Sequence, residues 1–392
     1  MQTDDKIYER LSEGMDLDKL GLTIEQTEIL YNLDYYKTLN DIDVTTAPVR
    51  KDKLISLKQE WLEKWQSYME SGFADFVQEK GAKLHWYSKE ELLKKVCVNE
   101  PTKPWLRLIL LESMLFEPYY PLSIEKDKKG NDVPSKRYDT LKVPLAGYRK
   151  NEGDNYLNSF FPNQYCQAGY VKRLRKCYDK VTGELNEVLK TVITSLSITA
   201  VITVVVVFTA GAFAPAIATA LVGSQFAGLS GAALTSACLA YLGGGAIATG
   251  GLGMAGGIAA IVGGGAILGL GVGAGVGGAV GVTGLMGKKA TIQQSAKLMV
   301  SVREIFLNDE RDMEYSDTVY EQYVEKITEI EKGLVELKLK ADVASKDEKK
   351  KLKLEIKNAG ESVEAMKIAR KSMLKYKSSF RVGVLAGEKG EK

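Results

Sequence analysis

Residues 191–287 read TVITSLSITAVITVVVVFTAGAFAPAIATALVGSQFAGLSGAALTSACLAYLGGGAIATGGLGMAGGIAAIVGGGAILGLGVGAGVGGAVGVTGLMG. Between Lys190 and Lys288 there is no Asp, Glu, Lys, Arg or His, and 24 of the chain's 38 glycines fall in this stretch. A buried core helix needs far less apolar length. About 20 apolar residues cross a bilayer as a helix, so the run has length for two to four crossings. The sequence therefore predicts a membrane as its solvent and a membrane event as the function.

Outward from the run the character changes abruptly. All 53 basic and 50 acidic residues lie in the flanks, so the overall 26% charged composition hides a segregation. The 392 residues leave room for two or three structural units. A net charge of +3, with no basic patch interleaved with aromatics and no zinc-finger or RRM-type pattern, gives no nucleic-acid partner. Cys97, Cys166, Cys177 and Cys238 show no CxxC spacing and read as free thiols of a reducing compartment. The opening MQTDDKIYERLSEGMD has no apolar h-region, so no signal peptide is expected and the amino-terminal segment is expected in the cytosol.

The predicted organisation is all-α and membrane-associated: a mostly helical soluble domain over 1–185, the inserting segment over 186–289, a heptad-patterned helical hairpin over 290–380, and a flexible tail over 381–392. In the first segment, Leu54, Leu57, Trp61, Trp65, Tyr68, Phe73 and Phe76 recur at three- to five-residue steps and predict a helix over about 50–79. Residues 104–116 (PWLRLILLESMLF) predict a short buried helix with Pro at its first turn. Pro118, Pro121, Gly130, Pro134, Pro144, Gly147 and Gly153 predict loop over 117–164, with a short hairpin turning at 126–132. Helix resumes at about Gln167 and runs toward the apolar stretch.

Within the run, residues 191–214 predict one transmembrane helix ending near Pro215, because in lipid a helix satisfies its own backbone. A turn is expected over 223–231. Gly265, Gly269, Gly273, Gly277 and Gly281 stand at every fourth position. On a helix they form a face without side chains, against which a second helix packs closely, within the chain or between copies. Gly269, Gly271, Gly273, Gly275 and Gly277 also alternate, as a glycine-faced strand would, but one run cannot close a barrel. Each glycine in a water-exposed helix costs about 1 kcal/mol relative to Ala. So rich a run suits a segment that orders only in lipid or in an oligomer; a constitutive anchor is the alternative.

Basic residues flank the run: Lys172, Arg173, Arg175, Lys176, Lys180 and Lys190 before it, and Lys288, Lys289, Lys297 and Arg303 after it. By the positive-inside rule both ends prefer the cytosol and the crossings are even in number. Further on, Tyr320, Tyr323, Ile327, Ile330, Leu334, Leu337, Ala341 and Ala344 alternate three- and four-residue spacings. The Ser345–Glu348 capping box starts a second helix, with Leu352, Ile356, Ala359, Val363, Met366 and Met373 as its stripe. Tyr323, Ile327, Ile330, Leu334 and Leu337 are the expected core of this antiparallel hairpin.

The chemical inventory is thin. GxGxxG occurs at Gly251, Gly253 and Gly256, but the position for its acidic partner lies in a charge-free stretch. Gly287-Lys288 is followed by Lys289 rather than Ser or Thr, so it is no phosphate loop. His85 is the one histidine. The pattern singles out no catalytic residue, no cofactor site and no metal ligands.

The layout of helical domain, Gly/Ala-rich hairpin and helical hairpin resembles bacterial α-helical pore-forming proteins such as the colicins and cytolysin A-type toxins. Residues 242–269 (LGGGAIATGGLGMAGGIAAIVGGGAILG) are similar to the glycine-rich membrane segments of bacterial effectors and of an interferon-induced membrane-protein family. The resemblance implies a glycine-zipper hairpin that inserts and oligomerises in the cytoplasmic membrane, with both flanking segments cytosolic. The leading expectation is a permeabilising toxin or defence effector, soluble before insertion. The alternatives are a constitutive inner-membrane scaffold docking a protein partner through residues 290–380, and an enzyme with a site within 85–165.

Overall fold

The computed structural model describes residues 18–46, 50–76, 81–126, 128, 132–143, 146–192, 267–268 and 291–390. Their regular secondary structure is helical apart from one short antiparallel hairpin, β1 (Ile124–Lys126) with β2 (Asp132–Pro134), in register Ile124↔Pro134. That hairpin lies where the glycine- and lysine-rich turn predicts it.

Helix α1 (Ile24–Asp43) begins at a capping box in which the Thr23 hydroxyl accepts from the Gln26 N–H. It packs against α2 (Lys51–Phe76), α3 (Lys89–Val98), α4 (Pro104–Leu115) and α5 (Lys150–Phe160). Helix α2 buries Trp61, Leu62, Trp65, Met69 and Phe73. Leu54 and Leu57 are half-buried, and the side chains of Tyr68 and Phe76 lie outside the described residues. Helix α3 is capped by Ser88 with Glu91. Helix α4 starts with Pro104 at its first turn, as the sequence predicts, and every residue from Leu108 to Leu115 is buried.

Helix α5 corrects the expectation of loop over 117–164. Gly153, read as a breaker, sits inside it. A Cβ at Gly153 would stand 1.7 Å from the Tyr148 hydroxyl oxygen, so the glycine makes room for the ring rather than ending the helix.

Helix α6 (Tyr170–Val192) leads into the apolar run on a stripe of Val171, Leu174, Tyr178, Val181 and Leu185. Residues 291–309 leave the run as α7, whose last part, Ser301–Asp309, is wound as a π-helix. From residue 294 to 302 every position of α7 is buried. This helix lies between the amino-terminal body, through α4, and the carboxy-terminal hairpin of α8 (Met313–Val343) and α9 (Lys346–Gly390). One hydrophobic core runs from Leu20 through Trp65, Ile109 and Phe306 to Met373. Helix α9 continues to Gly390, so residues 381–390, expected as a flexible tail, extend the helix. No proline interrupts them, and glycine weakens a helix without stopping it.

Among the described residues no helix is long and apolar enough to cross a membrane. The expected spans beyond Val192, the turn at 223–231, Cys238, the zipper glycines Gly265, Gly269, Gly273, Gly277 and Gly281, and the basic pair Lys288 and Lys289 lie outside the described residues. Four residues of the run do fall within them: Thr191 and Val192 end α6, and Ile267 and Leu268 are buried and join the core.

Candidate functional site

The last turn of α4 gathers six buried or half-buried ionisable groups from five helices. Lys37 of α1, wholly buried, donates to the Ser113 carbonyl and, at 2.7 Å, to the Phe116 carbonyl. Its ammonium also lies 5.1 Å from the Phe116 ring centroid and 5.2 Å from that of Tyr148. Arg175 of α6 donates to the Met114 carbonyl at 2.6 Å and grips Asp154 of α5 at 2.9 and 3.0 Å. Glu112, on α4 itself, accepts from Lys297 of α7 at 2.6 Å, with both side chains at most 2% exposed. Asp34, one turn before Lys37, completes the set.

The arrangement follows from helix physics. The final carbonyls of a helix have no intrahelical partner and carry partial negative charge, so cations are favoured there. Here the cations come from inside the core. Burial holds the Lys297 and Lys37 ammoniums below their usual range, opposed by Glu112 and Asp34 respectively. Burial also pushes the Asp34 carboxyl up, opposed by Lys37 and the Ser113 hydroxyl. Lys37, Arg175 and Lys297 are matched by Asp34, Glu112 and Asp154. The three cations and three carboxylates balance, Lys37 and Arg175 hold the last carbonyls of α4, and Lys297 ties α7 to Glu112, so the cluster fastens these helices together.

A second set of pairs joins α6 to α7 directly. Arg173 reaches Glu304 at 3.0 Å and Asp309 at 2.5 Å, and the Tyr170 hydroxyl donates to Asp309 at 2.9 Å. Arg107 of α4 pairs with Glu310 and lies 3.8 Å from Asp309. These carboxylates sit on or just after the π-helical stretch of α7, a winding that is rare and concentrated at functional places.

The residues read from sequence as membrane-flanking therefore divide. Lys172 and Lys176 are exposed. Arg173 and Arg175 are held by carboxylates within the body. Lys297 is a buried partner of Glu112 and no surface flank. Arg303 lies 4.5 Å over the Tyr376 ring. Of the hairpin core, Tyr323, Ile327 and Ile330 are buried, and Tyr323 bonds Ser295 of α7 at 2.9 Å. Leu334 and Leu337 are only half-buried, because beyond Ile330 the two helices have left the body.

The region of the enzyme reading shows its own constellation. His85 Nδ1 is 2.9 Å from Glu28 Oε1, and the Tyr87 hydroxyl donates to Glu28 Oε2 at 2.9 Å. Asn32 donates to the His85 carbonyl and accepts from the Tyr87 N–H. These contacts pin an extended segment to α1, as a sheet edge would. Among the described residues no group of three or more His, Cys, Asp or Glu could hold a metal. Burial pushes the Cys166 thiol up to about 11 and the Cys177 thiol up to about 12, so both stay protonated and inert near neutrality.

Sequence reading missed Lys37, Asp34, Glu112 and Asp154. The one local signal near them was the Thr23–Gln26 capping box that announces α1. No protein-family model, no curated protein and no solved structure matches this chain.

Proposed function

We propose that this chain is a conditional membrane-inserting protein. Its helical body holds both ends of the charge-free run. Release of those ends lets the run enter a bilayer, assemble through its glycine face into a homo-oligomer and permeabilise the membrane, as a pore-forming toxin or defence effector does. The observation that carries the reading is the fastening of α6, which enters the run, and α7, which leaves it, to one end of α4 by buried charge. The burial of Ile267 and Leu268 supports it, since part of the run is then already engaged with the core. Buried ion pairs suit a two-state element: in place they are compensated, and once parted each charge seeks water.

The test is fractionation combined with release of a trapped dye from liposomes. A conditional inserter is partly soluble before triggering, and the purified full-length protein releases dye. A constitutive inner-membrane scaffold, the competing reading, sits wholly in the membrane fraction and leaves liposomes sealed. A wholly soluble protein that neither binds nor leaks vesicles overturns both.

A further inference from the structure

The outer half of the α8–α9 hairpin carries an apolar face that none of the described residues covers. Val335, Leu339 and Val343 are 57, 63 and 88% exposed. They stand four residues apart, so they fall on one face of α8. Ile330, Leu334, Leu337 and Ala341, which face α9, lie on the opposite side of the same helix. This stretch of α8 therefore has two apolar faces, and hairpin packing accounts for only one. Single exposed leucines need no explanation; an aligned set does.

Charge selects the occupant. Residues 332–357 contain nine lysines and five acidic residues, which exceeds the +3 of the whole chain. On α8, Lys332, Lys338 and Lys340 are exposed beside the stripe together with Glu336 and Asp342, and Lys346 and Lys353 are exposed on α9, so the tip as a whole is net positive. An apolar ridge on a tip of net positive charge matches an anionic bilayer surface, where the apolar groups enter the headgroup boundary and the ammoniums meet lipid phosphates. We infer that the tip of the α8–α9 hairpin docks the protein on anionic lipid before the run inserts. The inference rests on the membrane reading but uses different residues from the inserting segment, so the two fail separately.

The experiment uses full-length protein and vesicles of neutral phosphatidylcholine, with and without phosphatidylglycerol, scored for co-sedimentation and for dye release. One variant carries Val335→Ser, Leu339→Ser and Val343→Ser. A second carries Lys332→Gln, Lys338→Gln, Lys340→Gln and Lys346→Gln. A control removes four exposed lysines elsewhere: Lys51, Lys53, Lys83 and Lys94. Each lysine near an anionic surface contributes about fivefold in partitioning. The lysine variant is expected to lose at least tenfold on anionic vesicles and little on neutral ones, the stripe variant to lose about as much, and the control to lose less than either. If tip variants and control partition alike, the docking inference falls, whether or not dye is released. Tip variants that lose binding support it even where no protein releases dye, in which case permeabilisation falls instead. A stripe variant whose mass changes in vesicle-free solution shows that the face belongs to a second copy, and overturns the lipid assignment.

Discussion

Glu112→Gln isolates the fastening of α7. The change keeps the shape of the side chain and removes its charge. Lys297 Nζ then keeps an amide oxygen near 2.6 Å but loses its counter-charge at a site where neither side chain is more than 2% exposed. Removing one partner of a buried pair costs about 3–5 kcal/mol. An exposed pair such as Lys103–Glu100 contributes about 0–1 kcal/mol, so Glu100→Gln is the control. Replacing both partners, Glu112→Met with Lys297→Met, refills the space with flexible apolar chains, and is neutral or stabilising by about 1–4 kcal/mol. Thermal melts followed by circular dichroism give the first readout. Glu112→Gln should melt lower than Glu100→Gln by several degrees, with the double variant near or above the parent. Vesicle leakage gives the second: the single variant should release dye faster than the parent, and the double variant no faster. A melt within about 1 kcal/mol of the parent refutes the burial argument. A lowered melt with unchanged leakage refutes the fastening as a control on insertion while leaving the energetics standing.

Ile327, 1% exposed at the α8–α9 seam, should not tolerate Asp: Ile327→Asp buries an uncompensated carboxylate and should lower the melt by several degrees, whereas Val335→Asp on the outer face should shift it by less than about 0.5 kcal/mol. In the run, Gly273→Leu should abolish oligomer and dye release while membrane association survives, and Gly271→Leu, on another helix face, should do much less; indistinguishable variants would sink the helical zipper. Arg137, with Lys64 and Tyr138, holds the Glu60 carboxyl down to about 2 from its ordinary 4.5. A depressed folded-state value adds stability above about pH 4.5 that is lost as pH falls through about 2. The melting difference between parent and Glu60→Gln should be steady above pH 5 and close between 4.5 and 2; a gap that persists at pH 2 means the pair is not its source.

What could be read in the chain depended on whether polarity and burial went together. They do in the aromatic stripe of α2, at the Pro104 start of α4 and along the α8–α9 seam, so apolar spacing alone finds those helices. In α1 they do not. Thr27, Glu28, Asn32, Asp34, Lys37, Thr38 and Asp41 are all buried there, and the apolar period that would mark a helix face is diluted by residues serving the interior. Helix α7 defeats the rule from the other side. It is enclosed between two bodies, so Lys297 points into the core, and its partner Glu112 lies 185 residues away, where no local pattern links the two.

That error bears on topology. The positive-inside rule counts free basic flanks, and Arg173, Arg175 and Lys297 do not qualify, because carboxylates inside the body already hold them. The exposed Lys172 and Lys176 remain on the entering side. The body supplies a stronger premise. Helix α6 hands the chain to the run and α7 receives it, and the two are ion-paired through Arg173 with Glu304 and Asp309 while both contact α4. A chain that leaves and re-enters one folded body begins and ends on the same side of any membrane it crosses, as long as those pairs hold. Charge in the flanks is then a consequence of this return as much as its cause. Before release, these pairs hold both ends of the run on one side of the body, and an even number of crossings would follow on insertion wherever neither end is carried across.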